Sequence, residues 1–225
     1  MKRRSHREKS LKYECNYQYF DRIDSEDQAY FLGFIYADGF ITEDIFGIAI
    51  KEEDIDVLEK LKKYMGSTYP IHYYENNGFN GKYKPTKYCR VMIRSKEIVD
   101  CLQKQGVFYR KSYCLKEPHI QKELIRHFIR GYMDGDGSIY TSQNSSTVSF
   151  TGTLDILKFI GDYFVECGII RQYKLYPEHH SDFIYSLKVG GNIQSRTLLN
   201  HLYDEATVYM NRKYNTYLNL IEKSS

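Results

Sequence analysis

The 225-residue sequence has no tryptophan, no Cys-x-x-Cys pair, no apolar run of membrane-spanning length and a formal net charge of only +3. These gaps narrow the field. The five cysteines (Cys15, Cys89, Cys101, Cys114 and Cys167) are scattered. They read as reduced thiols, not as a zinc site or a disulfide framework. Without a long apolar run there is no candidate transmembrane helix. The N-terminal stretch is charged and lacks an apolar core, so a secretory signal is not expected. The expected location is intracellular, in the cytoplasm or an organelle of the host. Weak net charge means that any anion-binding surface must come from cations segregated on one face. Tyrosine, at 23 residues, carries the aromatic load, and 42% hydrophobic content suffices for a folded core. The length leaves room for one large domain or two small ones.

One stretch occurs twice: Phe31-Leu32-Gly33-Phe34-Ile35-Tyr36-Ala37-Asp38-Gly39 and Ile129-Arg130-Gly131-Tyr132-Met133-Asp134-Gly135-Asp136-Gly137. The two late Asp residues stand 98 positions apart, from 38 to 136. Ser25 and Gln28 form a capping-box signature ahead of the first copy, and the apolar run behind it continues a helix. Gly39 and Gly137 fall where such helices end, as left-handed caps would require. Gly33 with Ala37, and Gly131 with Gly135, are four apart and share a helix face. Small residues at that spacing let two helices approach backbone to backbone. If they do, Asp38 and Asp136 meet where both helix ends carry partial negative charge. Paired carboxylates there call for a cation, and oxygen ligands favour Mg²⁺.

The chain around these copies repeats a plan. After the first copy, two strands are expected within Phe40–Lys51 with a turn at Glu43-Asp44, and a helix over Ile55–Met65 ending at Gly66. Strands follow at Tyr69–Tyr74 and Tyr88–Arg94, separated by a polar loop carrying Lys82, Lys84 and Lys87, and then a helix from Ile98. In the last strand Cys89, Val91 and Ile93 alternate with Arg90, Met92 and Arg94. The second copy leads to strands at Ser138–Ser142 and Thr147–Thr151 and a helix over Leu154–Cys167. Strands at Arg171–Tyr176 and Phe183–Val189 and helices from Asn192 or Ser195 complete it. Each half ends on an Arg-Lys pair, and Lys111 and Lys213 follow their Asp by 73 and 77 positions. Shared order, spacing and chemistry mark an internal duplication of roughly 100 residues. The divisions expected are a basic N-terminal arm over residues 1–24, a first repeat over 25–117 and a second over 118–225. Lys2, Arg3, Arg4, Arg7, Lys9 and Lys12 make the arm a candidate phosphate contact.

Two acids at helix ends, two late lysines and cationic strand faces suit nucleic-acid chemistry. Strands can enter a major groove, where Arg or Lys reads guanine and Gln or Asn reads adenine. Metal held near a scissile phosphate activates water and stabilises the leaving oxygen. Candidate DNA contacts are Lys82, Lys84, Lys87, Arg90, Arg94, Gln172, Lys174, Ser186 and Lys188. Asp134-Gly135-Asp136-Gly137-Ser138 also suggests a calcium loop. The bidentate Glu such a loop needs eleven positions on is replaced by Ser145. His72, His119, His127 and His179-His180 lack ligand spacing.

With these residues in view, the sequence resembles the single-chain, two-repeat LAGLIDADG homing endonucleases from about residue 16 onward. The resemblance implies an α+β fold of two αββαββα repeats, with the motif helices at the interface and two antiparallel sheets forming a DNA-binding saddle. It implies Mg²⁺-dependent double-strand cleavage of a long pseudo-palindromic site leaving short 3′ overhangs, by a monomer. Mn²⁺ or Ca²⁺ would substitute in binding. Asp38 and Asp136 would ligate metal with the carbonyls of Ala37 and Gly135, and Lys111 and Lys213 would complete catalysis. Two departures stand out. The family's earlier acid is Tyr36 in the first copy but Asp134 in the second. The polar residue expected on the second strand of each repeat falls at Ala49 or Lys51 and at Ser149 or Thr151. Two other functions fit the same scaffold: an RNA maturase acting on intron RNA, and a non-catalytic DNA-binding regulator. Retention of both acids argues against the latter.

Overall fold

A computed structural model describes residues 12–76, 85–109, 117–142, 145–178, 181 and 183–222. Lys82, Lys84 and Lys111, and the arm's cations before Lys12, lie outside these described residues. The first half runs α1 (Glu26–Asp38), β1 (Gly39–Ile41), β2 (Ile45–Lys51), α2 (Ile55–Tyr64), β3 (Ile71–Asn76), β4 (Thr86–Arg94) and α3 (Lys96–Lys104). The second runs α4 (Ile125–Asp136), β5 (Gly137–Thr141), β6 (Ser146–Gly152), α5 (Leu154–Glu166), β7 (Leu175–Pro177), β8 (Tyr185–Gly190) and α6 (Asn192–Tyr203). A further helix, α7 (Asn211–Glu222), follows. Each half is therefore αββαββα, with antiparallel sheets ordered β1-β2-β4-β3 and β5-β6-β8-β7.

Ser25 caps α1 as expected: its Oγ accepts from Gln28 N at 3.4 Å. Gln28 reaches one residue further back than a capping box requires, accepting from Asp24 N at 2.9 Å and donating to Tyr19 O at 2.8 Å. The chain joins the core earlier than an arm over residues 1–24 allows. Tyr19, Phe20 and Ile23 are buried, and Asn16 N donates to Met65 O at 2.8 Å. These apolar side chains bring the segment into the packing of the first half.

From Ala29 to Tyr36 every residue of α1 is buried, a helix apolar on all sides because it lies inside the molecule. Its partner is α4, and glycine sets the fit. A Cβ on Gly33 would lie 1.9 Å from Phe128 O, and one on Gly131 would lie 1.8 Å from Tyr30 O. The contact is reciprocal, as a pseudo-twofold axis between the helices demands. One hydrophobic core runs through both halves around this pair. The inner face of each sheet packs on helices, α2 and α3 on the first and α5 and α6 on the second.

Gly39 and Gly137 do not adopt the left-handed cap expected of them. Their φ values are −75° and −92°, with ψ near 160°, so each already begins a strand. Close approach explains glycine there. A Cβ would meet Ile35 O at 2.8 Å in the first copy, and in the second Met133 Sδ at 2.2 Å and Met133 O at 2.5 Å. The strand expected over Arg171–Tyr176 is also shorter than its apolar pattern suggested, since only Leu175–Pro177 pairs with β8. Phe183 lies outside β8 and is 58% exposed.

Buried polar groups join the halves. Arg130, wholly buried, donates to Glu26 Oε1 (2.6 Å), Val208 O (2.9 Å), Leu202 O (3.0 Å) and His127 Nδ1 (3.0 Å). Burial, and next the Arg130 charge, push His127 down to about 4. An unfolded histidine titrates near 6.5. Between these values the unfolded chain binds more protons, so the contribution is complete above pH 6.5 and fades as pH falls toward 4. Stability against urea is expected to drop by about 2 kcal/mol from pH 7 to pH 5. His127→Gln should flatten that slope, and an unchanged slope would rule out His127 as its source.

A second clasp runs through α7, which crosses to the first half. Arg212 makes a two-pronged pair with the buried Asp54, with both N–O distances at 2.8 Å. Asp56 Oδ2 accepts from Asn211 N at 3.0 Å, capping α7 from another element, and Lys60 Nζ donates to Asn211 Oδ1 at 2.8 Å. Truncating Arg212 leaves Asp54 buried without its partner. Arg212→Ala is expected to cost about 2 kcal/mol in urea unfolding, below the usual loss for a fully buried pair because Arg212 is half exposed. Arg94→Ala, which breaks the exposed pair with Asp44, should cost less than about 0.5 kcal/mol.

Candidate active site

Asp38 and Asp136 are the last residues of α1 and α4, so helix pairing alone carries both carboxylates to the junction of the halves. The helices still touch at their last turn. A Cβ on Gly135 would lie 2.3 Å from Ala37 Cβ and 3.1 Å from Asp38 Oδ2. The Asp38 carboxylate therefore reaches across to the end of α4. Both acids also act on the same two neighbours. The Tyr132 hydroxyl is pushed far above its ordinary range, first by burial and then by Asp136 and Asp38. Both carboxylates favour the charged form of the Lys213 ammonium.

Beside this junction lies a cleft lined by Asp38, Ala49, Ile50, Lys51, Asp54, Tyr88, Asp134, Gly135, Met210 and Arg212. It opens between the end of the motif helices and the outward face of the first sheet. Asp54, Tyr88 and Arg212 were not among the expected site residues. Tyr88 could have been found, because it shares strand parity with Arg90. Asp54 and Arg212 pair across 158 positions, and no local pattern announces that.

Lys213, expected to complete catalysis, reaches the end of its own motif helix. Its Nζ is buried there on four carbonyls: Met133 (2.6 Å), Asp134 (2.7 Å), Gly135 (3.3 Å) and Gly137 (2.6 Å). It caps the α4 C-terminus, where a cation offsets the helix dipole. Burial holds its pKa below the usual lysine value despite the acids around it.

The Tyr36/Asp134 difference has a structural account. Asp134 is fully buried and accepts from Tyr30 OH (2.7 Å), Tyr203 OH (2.5 Å) and Met210 N (2.7 Å). Burial raises its pKa, while Lys213 and these donors oppose the rise. Tyr36 ties α1 to its own half instead, donating to Gln105 O at 2.7 Å. Its hydroxyl fills the space where Gly106, at φ +87°, has no Cβ. Both residues anchor a motif helix to the end of the last helix of its repeat.

Register settles which side chains face outward. On β4 Cys89, Val91 and Ile93 are buried, while Tyr88, Arg90, Met92 and Arg94 turn away from the helices. Ala49 and Lys51 pair with Arg90 and Tyr88, so both lie on that outward face. Lys87 is exposed but has the opposite parity, across from Glu75, and does not join Arg90 and Arg94. On the second sheet Ser149 and Thr151 face outward beside Lys188 and Ser186. Lys188 is exposed, whereas Ser186 is 2% exposed and its Oγ is enclosed, beyond reach of a duplex laid on this surface. Gln172 and Lys174 are exposed on irregular chain before β7, with Lys174 Nζ 5.4 Å from the Tyr176 ring centre.

Paired helices ending in acids, each feeding a four-stranded sheet with an open outward face, frame a comparison with known proteins. Residues 123–202 match the model of the LAGLIDADG-like domain family. No curated protein matches the chain. Solved structures with the same fold include the LAGLIDADG meganuclease I-AabMI, bound to uncleaved DNA. It is 14% identical with a TM-score of 0.55, covering 87% of this chain and 89% of that one. The homing endonuclease I-SmaMI, bound to cleaved DNA, is 13% identical with a TM-score of 0.57, covering 89% and 88%. Full-length DUF199/WhiA from Thermatoga maritima is 13% identical with a TM-score of 0.57. That match covers 93% of this chain, which spans 65% of that protein. At these identities the likeness is one of fold. The first half, outside the matched LAGLIDADG-like residues, repeats their element order and sheet topology.

Proposed function

We propose that the protein is a site-specific, Mg²⁺-dependent endonuclease of double-stranded DNA, with both outward sheet faces laid along the duplex and the cut made at the junction of the motif helices. The observation that carries this reading is that Asp38 and Asp136 end the two packed motif helices and both act there on Tyr132 and Lys213. A protein that only binds an anionic duplex gains nothing from two carboxylates there. One chain supplies both acids, so a monomer suffices.

The donor set fits a magnesium ion. It offers two carboxylates with the carbonyl of Ala37, while the Gly135 carbonyl expected beside them already accepts from Lys213 at 3.3 Å. Among the described residues no group of three or more His, Cys, Asp or Glu converges anywhere. Mg²⁺ is usually held by one or two carboxylates, water and substrate phosphate, without an all-protein cage. When bound, it would supply a lowered pKa for attacking water and charge stabilisation at the leaving oxygen. Lys213 fixes the end of α4 and with it the Asp136 backbone. Arg212, set by Asp54, places a cation in the cleft beside Asp38. A phosphate drawn there meets Lys51 on the cleft wall.

The capping role of Lys213 favours one other reading. Its ammonium already occupies the Gly135 carbonyl, as a DNA-binding protein without catalysis would allow. Selection of cleaved ends from a randomised duplex library in Mg²⁺ separates the two. Recovery of a long shared sequence cut on both strands supports the nuclease. Enrichment of bound but uncut duplex supports the binding protein, and enrichment only from an RNA pool removes both.

A further inference from the structure

Among the described residues, Lys51, Arg90 and Arg94 stand on the outward face of the first sheet, and two of them have acid partners. Lys51 pairs with Glu53 at 3.7 Å and Arg94 with Asp44 at 3.2 Å. Arg90 has no carboxylate within ion-pair distance among the described residues. Its guanidinium carbon instead lies 5.4 Å from the centre of the Tyr74 ring. Tyr74 is stacked on Tyr88, with centroids 5.6 Å apart and planes at 18°. The register explains the stack, since Tyr74 lies directly across from Tyr88 and His72 across from Arg90. Tyr88 also lines the cleft at Asp38, so this ladder begins at the candidate active site.

We infer that Arg90, steadied by Tyr74, reads a guanine in the half of the target facing the first repeat, and that the second repeat has no counterpart to it. The inference rests on the proposed action on duplex DNA. A guanidinium held over an aromatic ring is attracted to the ring without using its N–H donors on a carboxylate. Two parallel N–H donors match the O6 and N7 acceptors that guanine presents in the major groove. Fixing the side chain beforehand reduces the entropy lost on binding.

The one-sidedness follows from register. Gly39 pairs with Ile48 and Gly137 with Phe150, so Ala49 and Thr151 are equivalent positions, each one residue on. Their partners on the third strand of each sheet are Arg90 and Ser186. Ser186 carries no charge, and its buried Oγ has no hydrogen-bond partner among the described residues. Tyr176 takes the place of His72 in the same row. The row that is Ala49, Arg90 and His72 in one half is Thr151, Ser186 and Tyr176 in the other. The two half-sites are therefore read differently close to the cut.

The test is equilibrium binding of the full chain, in Ca²⁺, to the library-selected duplex and to variants carrying each base pair at every position. The wild-type protein should show one position where G·C is bound at least about tenfold more tightly than A·T, with no such preference at the mirror-related position. Arg90→Ala should bring that ratio near one while other positions keep theirs. Tyr74→Ala should weaken the ratio and Tyr74→Phe should restore it. A uniform loss across all base pairs in Arg90→Ala would make it a phosphate contact and overturn the assignment. So would equal preferences at both mirror positions. Failure of the wild-type protein to bind any duplex would overturn the parent reading as well, and is told apart from these by the wild-type titration alone.

Discussion

Gly131→Ala is expected to unfold the protein or to lower its stability by more than about 4 kcal/mol, and Gly33→Ala to do nearly the same. Overpacking a core normally costs about 1–3 kcal/mol, because side chains can shift to new rotamers. Here the obstruction is backbone. The added methyl would sit 1.8 Å from Tyr30 O in one case and 1.9 Å from Phe128 O in the other. Neither carbonyl can move without moving its helix. Separating α1 from α4 would open the centre of the continuous core and stretch the Tyr30–Asp134 and Glu26–Arg130 contacts. Losses beyond 4–5 kcal/mol come from few mechanisms, and this is one. Gly66→Ala is the control, since that site has φ +56° but nothing within 4 Å of an added Cβ. It should cost about 1 kcal/mol through backbone strain alone. Urea unfolding of the three variants decides the matter. Equal losses at Gly66 and Gly131 would mean that the helices do not pack this closely.

The helix pair was readable because its signal is local and doubled. Four-residue spacing of small side chains, repeated 98 positions later, admits few explanations besides a shared interface. Alternation in β4 likewise showed which side of the sheet Arg90 and Arg94 occupy. What misled was local too. Asp-Gly at a helix end suggests a left-handed cap, yet Gly39 and Gly137 are extended and are small for steric reasons set by the preceding turn. Lys87 was expected in the polar loop, but β4 begins at Thr86 and the parity of Lys87 turns it away from the face of Arg90 and Arg94. The run from Arg171 to Lys174 has strand-like composition but pairs with no strand among the described residues.

Nothing in the sequence pointed to α7 as a clasp. Arg212 finds Asp54, and Asn211 finds Asp56, only because the last helix crosses to the first half. Interactions between residues about 150 positions apart leave no periodicity to read. The late Lys213 was legible as a position and not as a contact. Its spacing marked it as the counterpart of Lys111 in the duplication, while its attachment to four carbonyls depends on where α7 begins.

Asp38→Asn and Asp136→Asn should each lower the rate of DNA cleavage by at least about a thousandfold and leave duplex affinity within a few fold. Asparagine keeps the shape and one carbonyl oxygen but removes the charge that favours a divalent cation. Loss of a metal's Lewis acidity and of its activated water removes several kcal/mol of transition-state stabilisation, and each 1.4 kcal/mol is a factor of ten. Binding draws on the outward sheet faces, which neither substitution touches. Removing a negative charge beside phosphate should, if anything, tighten the complex. The fold should survive, because each acid sits at a helix end and not within the Gly33–Gly131 packing.

The central claim, that the helix junction is a metal-dependent cutting site, is tested most directly by strand-resolved cleavage of the selected duplex. Both strands are end-labelled, with wild-type protein and the two Asp→Asn variants compared in Mg²⁺ and in EDTA. The account predicts that wild-type protein cuts both strands in Mg²⁺ only, and that each variant binds the duplex without cutting it at the wild-type rate. Undiminished cleavage by both variants, or cutting that persists in EDTA, would contradict it.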